Sequence, residues 1–201
     1  MDLWTIERSL FEDGWSIVCG VDEAGRGPLA GPVYAAAVIL PKYLEIDGLD
    51  DSKKLSPKKR EALYDIITQK ALAWGVGSAD EREIDNVNIL QATYLAMNRA
   101  IEKLEIAPEI ALIDGNRSSG IACVNKCVVG GDGLSASIAA ASILAKVTRD
   151  RLMSELDQQY PGYGFAQHKG YGTKAHYEAI DRLGPCPIHR MTFLKKHGVQ
   201  K

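Results

Sequence analysis

The chain has 201 residues, 46% of them apolar and 25% charged, with a net charge of −2, which fits one globular domain with a true core and excludes a globally basic nucleic-acid binder. Its longest apolar stretches, residues 33–40 and 138–145, are too short to span a bilayer, and residues 1–8 lack the basic and apolar regions of a signal peptide, so a cytoplasmic protein is expected. Charge is unevenly spread: residues 1–139 carry 14 Lys and Arg against 21 Asp and Glu, and residues 140–201 carry 10 against 5, which suits a polyanion held beside a site that needs acids.

In chain order, residues 16–22 form an apolar run that ends on adjacent carboxylates, Asp22 and Glu23. The pattern is that of a buried strand delivering charge to a cleft. A Gly- and Pro-rich turn, Gly25-Arg26-Gly27-Pro28, leads to a second strand at residues 33–40, expected as its antiparallel neighbour. After a polar loop at residues 50–54, Ser56-Pro57 opens a helix whose core face carries Leu63, Ile66, Ile67 and Ala71. A third strand is predicted at residues 73–79. Leu90, Thr93, Met97, Ala100, Ile101 and Leu104 recur at helical spacing and predict an amphipathic helix over 85–104. Strands follow at 109–113, stopping at Asp114, and at 122–129. The alanine-rich stretch 134–158 predicts a long helix lying close against the sheet, and shorter helices are expected at 174–183 and 188–196. Together these give an α/β fold: a mixed sheet flanked by helices in one domain, 1–201, with a core of about 15–158 and a C-terminal helical extension of about 159–201.

Four acids stand at the ends of apolar elements: Asp22, Glu23, Asp114 and Asp132. Any one of them alone is ordinary turn chemistry. Together they suit oxygen ligation of magnesium, and a pair of such ions suits phosphodiester hydrolysis. Gly25-Arg26-Gly27 lets the backbone approach a ligand closely, although a plain tight turn has the same composition. Lys53, Lys146 and Arg149, then His168, Lys169, Tyr171, Lys174, His189 and Arg190, interleave cations with flat rings, as a nucleic-acid strand requires. His168 and His176 also suit ordinary surface positions, His176 above all. The cysteines, Cys19, Cys123, Cys127 and Cys186, lack zinc-like pairing and read as free thiols.

Asp22-Glu23-Ala24-Gly25-Arg26-Gly27-Pro28-Leu29-Ala30-Gly31-Pro32-Val33 resembles the signature of ribonuclease HII, the bacterial type 2 ribonuclease H. The likeness continues through Asp51-Ser52-Lys53-Lys54-Leu55-Ser56, Asp114-Gly115-Asn116, Gly131-Asp132 with residues 140–147, His168-Lys169-Gly170-Tyr171-Gly172-Thr173, and His189-Arg190. It implies a ribonuclease H-like fold and cleavage of RNA in RNA–DNA hybrids, including the 5′ side of a ribonucleotide embedded in duplex DNA. It further implies Asp22, Glu23, Asp114 and Asp132 as ligands of two Mn2+ or Mg2+ ions, and a loop at Gly25, Arg26 and Gly27 that reads the 2′-hydroxyl. Tyr171 would stack on the next deoxynucleotide's sugar, Lys53 and Lys146 would lie near the substrate, and the enzyme would be a monomer. Thr192 replaces an expected Ser, one hydroxyl for another. The 21 residues before Asp22 are too few for the extra N-terminal domain of the related ribonuclease HIII. Another ribonuclease H-like nuclease acting on DNA junctions is the alternative.

Overall fold

The computed structural model describes residues 2–195. Five strands, β1 (Val18–Ala24), β2 (Val33–Ile39), β3 (Ala73–Ala79), β4 (Ile110–Asp114) and β5 (Asn125–Val128), form one sheet in the order β3-β2-β1-β4-β5. β1 pairs antiparallel with β2 and β2 with β3, while β4 runs parallel to both β1 and β5, so the sheet is mixed, as expected. Because β1, β4 and β5 point the same way, their C-terminal ends share one edge of the sheet.

The helices are α1 (Thr5–Glu12), α2 (Pro57–Lys70), α3 (Glu81–Glu102), α4 (Ala136–Gln159), α5 (Phe165–His168), α6 (Lys174–Leu183) and α7 (Met191–Leu194). One face of the sheet, with Cys19, Val21, Ala35, Ala37 and Ile113, packs on α3. The other carries Val18, Gly20, Ala36, Val38 and Leu112 beneath α4, with α1 and α2 alongside. Small residues set these distances. A Cβ on Gly20 would stand 2.1 Å from the backbone of Ser137, and one on Gly77 would stand 2.2 Å from the carbonyl of Ala96. The alanine content of α4 completes the close approach: residues 136–145 are buried without a break.

Several boundaries differ from the sequence reading for physical reasons. α3 starts four residues earlier, because Asp80 and Glu83 form a reciprocal capping box ahead of the apolar periodicity. Within α3, Asn88 sits at φ 69°, and its Oδ1 accepts from Leu90 N at 3.0 Å, restarting the helix after a kink. β5 is confined to Asn125–Val128. The helix expected at 188–196 is the single turn Met191–Leu194, capped by Asp85, whose carboxylate accepts from Met191 N at 2.8 Å and Thr192 N at 3.0 Å; Lys196 lies outside the described residues. Thr192 Oγ1 also donates to Asp85, so the expected serine's hydroxyl is present in function. Neither α1 nor α5 was anticipated. α1 turns inward a glutamate, Glu7, whose Oε1 accepts from Ser135 Oγ (2.6 Å), Ser137 N (3.0 Å) and Ser137 Oγ (2.7 Å) at the start of α4. All the cysteines are free, and no helix among the described residues is long and apolar enough to cross a membrane.

Candidate active site

Strand ends build the first half of the site. The pairing of β1 with β4 brings Asp22 and Asp114 to adjacent strand ends on the α4 face, and Asp132 arrives on the turn between β5 and α4. One carboxylate oxygen from each of Asp22, Asp114 and Asp132 lies within 4.8 Å of the others. Asp114 is fixed by Gly131 N, which donates to its Oδ1 at 2.7 Å. Glu23 is not one of this trio, because successive strand residues alternate faces. It lines a cleft with Asp114, Leu90 and Met97, and its Oε1 meets Arg26 Nη1 at 3.3 Å.

Burial pushes the Asp22 carboxyl well up, and the charges of Glu23 and Asp114 add to that. Burial likewise raises Asp114, helped by Asp132, and raises Glu23, where Arg26 opposes it. Lys53 is the cation on hand: its Nζ reaches Asp132 Oδ2 at 3.1 Å from a short turn in which Asp51 accepts from Lys53 N. Burial pulls Lys53 down, but the hydrogen bond and charge of Asp132 outweigh this and hold it up. One mostly exposed ammonium does not neutralise three clustered carboxylates, so a cation with oxygen ligands fits the remaining charge.

The second half is the loop after β1. Gly25 has φ +95°, and a Cβ there would strike the Arg149 guanidinium at 2.0 Å, so only glycine fits. Gly27 is open on its exposed side, and a Cβ there would just touch Tyr171 Cε1 at 3.4 Å. The structure thus places Gly25, Arg26, Gly27 and Tyr171 together, a short step from Asp22. Lys146 is elsewhere: it is bonded to Asp150 at 2.6 Å in a cleft shared with Arg60 and Lys169, which none of the four acids lines.

The expectation that Arg149 and Arg190 face a substrate's phosphates is corrected: both are buried, and their donors are spent on main-chain carbonyls. His176 is likewise not a surface residue but fully buried. Its Nδ1 meets the Tyr171 carbonyl at 2.9 Å and its Nε2 meets His189 Nε2 at 3.1 Å, while Cys186 N donates to His189 Nδ1 at 2.9 Å. These partners assign the tautomers. A carbonyl only accepts, so His176 donates from Nδ1; its Nε2 then accepts from His189, whose Nδ1 accepts from Cys186. Two neutral imidazoles therefore hold the main chain at Tyr171. Tyr171 and His189 lie in stretches that carry the family likeness, but no apolar periodicity or motif ties His176 to them.

Burial lowers His176 to about 4 against an ordinary 6.5. The unfolded chain takes up this proton below about 6.5 and the folded chain does not, so the contribution is complete above 6.5 and is lost as pH falls toward 4. Urea unfolding should therefore show His176→Asn shedding a pH dependence worth up to about 3 kcal/mol between those limits.

The sequence profile described as Ribonuclease HII matches residues 19–196. A ribonuclease HII of Geobacter metallireducens is 58% identical over 197 residues, covering 97% of this chain and 92% of that protein. The solved ribonuclease H2 of Pyrococcus horikoshii superposes with TM-score 0.75 at 27% identity, over 92% of this chain and 97% of the other. The ribonuclease HII of Archaeoglobus fulgidus, solved as a complex with PCNA, superposes with TM-score 0.67 at 25% identity, over 88% and 94%.

Proposed function

The chain belongs to the ribonuclease HII family of endonucleases, which hydrolyse the RNA of RNA–DNA hybrids, and on that premise we propose that it also cuts on the 5′ side of a single ribonucleotide in duplex DNA, leaving 3′-hydroxyl and 5′-phosphate ends. The observation that carries this reading is the approach of Asp22, Asp114 and Asp132 to within 4.8 Å beside a loop that faces Tyr171. Asp22, Asp114 and Asp132, with Glu23 at the rim, would hold two divalent ions, Mn2+ or Mg2+. Bound there, such ions supply positive charge and a more acidic water for phosphodiester hydrolysis.

The chain's own residues do the selecting. Gly25, Arg26 and Gly27 offer backbone groups to the 2′-hydroxyl, the atom that separates RNA from DNA locally. Tyr171, exposed across from Gly27, packs flat on the following sugar, where an added hydroxyl would clash. Lys53, bonded to Asp132, sits where a phosphate oxygen approaches the acids, and Lys146 contacts phosphate farther along the substrate. Residues 1–201 act as one domain, with residues 159–201 contributing the substrate-binding extension. The enzyme works as a cytoplasmic monomer, removing ribonucleotides and primers during replication and repair.

The test is a duplex carrying one ribonucleotide, incubated with Mg2+ or Mn2+, with the ends mapped. One cut 5′ to the ribonucleotide, abolished by chelator, is the expected result. A cut elsewhere, or cleavage of an all-DNA junction in its place, overturns the reading.

A further inference from the structure

We propose that Arg190 is the positioning residue that turns the amide N–H groups of Arg26 and Gly27 toward the substrate, an inference that rests on the 2′-hydroxyl reading of this loop. Arg190 Nη2 donates to the Gly25 carbonyl at 2.6 Å, Nη1 to the Arg26 carbonyl at 2.9 Å and Nε to the Gly31 carbonyl at 2.8 Å. A trans peptide holds its C=O and the next residue's N–H on opposite sides. Pulling the carbonyls of Gly25 and Arg26 inward therefore drives the N–H groups of Arg26 and Gly27 outward. Among the described residues neither N–H has an internal acceptor, and both residues are exposed. By contrast, the N–H groups of Leu29 and Gly31 are tied to the carbonyls of Gly170 and Ile188 at 2.8 Å each.

The location of the charge supports this assignment. Arg190 is fully buried and faces carbonyls and the ring of Phe193, not a carboxylate. Its neighbour Arg149 is also buried and grips the carbonyls of Ala30, Pro32 and Lys169. Burying two guanidiniums against each other is costly, and an apolar pair would fill the space at less expense. What the cations add is polarity of a fixed sense: carbonyl dipoles drawn inward and amide dipoles presented outward, next to acids that would otherwise repel a phosphodiester. Among the described residues, Arg190 alone donates to the carbonyls of both peptides that face the proposed hydroxyl.

Arg190→Lys is the decisive variant, since one ammonium cannot span three carbonyls. Its affinity, and the parent's, are measured with Ca2+ present for a duplex carrying one ribonucleotide and for the same duplex in all-DNA form. The parent should prefer the ribonucleotide, and Arg190→Lys should bind the all-DNA duplex like the parent while losing about tenfold of that preference. Equal weakening on both duplexes, or an unchanged preference, overturns the proposal. A parent without any preference overturns the loop reading itself. If Arg190→Lys fails to fold, amide resonances of the parent decide: Arg26 and Gly27 should shift with the ribonucleotide duplex and not with its all-DNA form. Absence of that difference overturns the proposal.

Discussion

Asp22→Asn is expected to lower cleavage roughly a thousandfold, the equivalent of about 4 kcal/mol of barrier, and at the same time to make the metal-free protein harder to unfold. Both effects have one cause. Asp22 is 4% exposed and lies beside Asp114, Asp132 and Glu23, so its carboxylate is held in the fold against burial and repulsion. A folded pKa above the unfolded one means the folded chain binds that proton more tightly. The resulting stability is present at low pH and declines as pH rises beyond the ordinary carboxylate range. Asparagine keeps an oxygen for the Glu23 N–H, which Asp22 Oδ1 now receives at 2.7 Å, and removes the charge. Thermal unfolding at neutral pH in chelator should place the variant above the parent. Added Mg2+ should reverse the order, because a ligand that binds the folded state stabilises it in proportion to its affinity. A variant that cleaves near normally, or one less stable than the parent in chelator, would remove Asp22 from the proposed ligand set.

What the sequence disclosed and what it hid follow from how each element is held. β3 and α6 have the bounds anticipated for them, because each is a short pattern closed by its own breakers or cap, such as Thr173, whose side chain accepts from His176 N ahead of α6. The strand ends bearing Asp22 and Asp114 were equally plain, as apolar runs stopping on acids. α1 was hidden because it is only eight residues long and one of its two buried residues is an acid, Glu7 beside Leu10, so that half of its inner face looks like a solvent face. The absence of Glu23 from the trio of acids is a matter of strand pleat: neighbours in sequence occupy opposite faces. Arg149 and Arg190 were seen only as positive charge. Their burial depends on carbonyls more than 100 residues earlier in the chain, at Ala30, Pro32, Gly25 and Gly31, and no local pattern announces such partners.

The residue on which the site's geometry rests most heavily carries no functional group. Gly20→Ala should cost about 4 kcal/mol or more, enough to leave much of the chain unfolded at physiological temperature. The added methyl would meet Ser137 C at 2.1 Å and Ile138 N at 2.2 Å, which are backbone atoms that no rotamer change can move aside. Relief requires α4 to lift from β1. That motion has a specific consequence, because Asp22 is two residues beyond Gly20 on the same face, and Asp132 is on the turn that leads into α4. Lifting the helix therefore moves Asp132 away from Asp22 and Asp114. The glycine sets the helix height, and the helix height sets the spacing of the carboxylates. Any folded fraction of Gly20→Ala should bind Mg2+ more weakly than the parent, read as a smaller rise in melting temperature on titration with the ion. Gly77→Ala provides the contrast, since its methyl would meet the Ala96 carbonyl of α3 at 2.2 Å on the opposite face. It should destabilise to a similar degree but leave the Mg2+ response of the folded fraction nearly unchanged. Equal loss of metal response in both variants would mean that α4 does not govern the acid spacing.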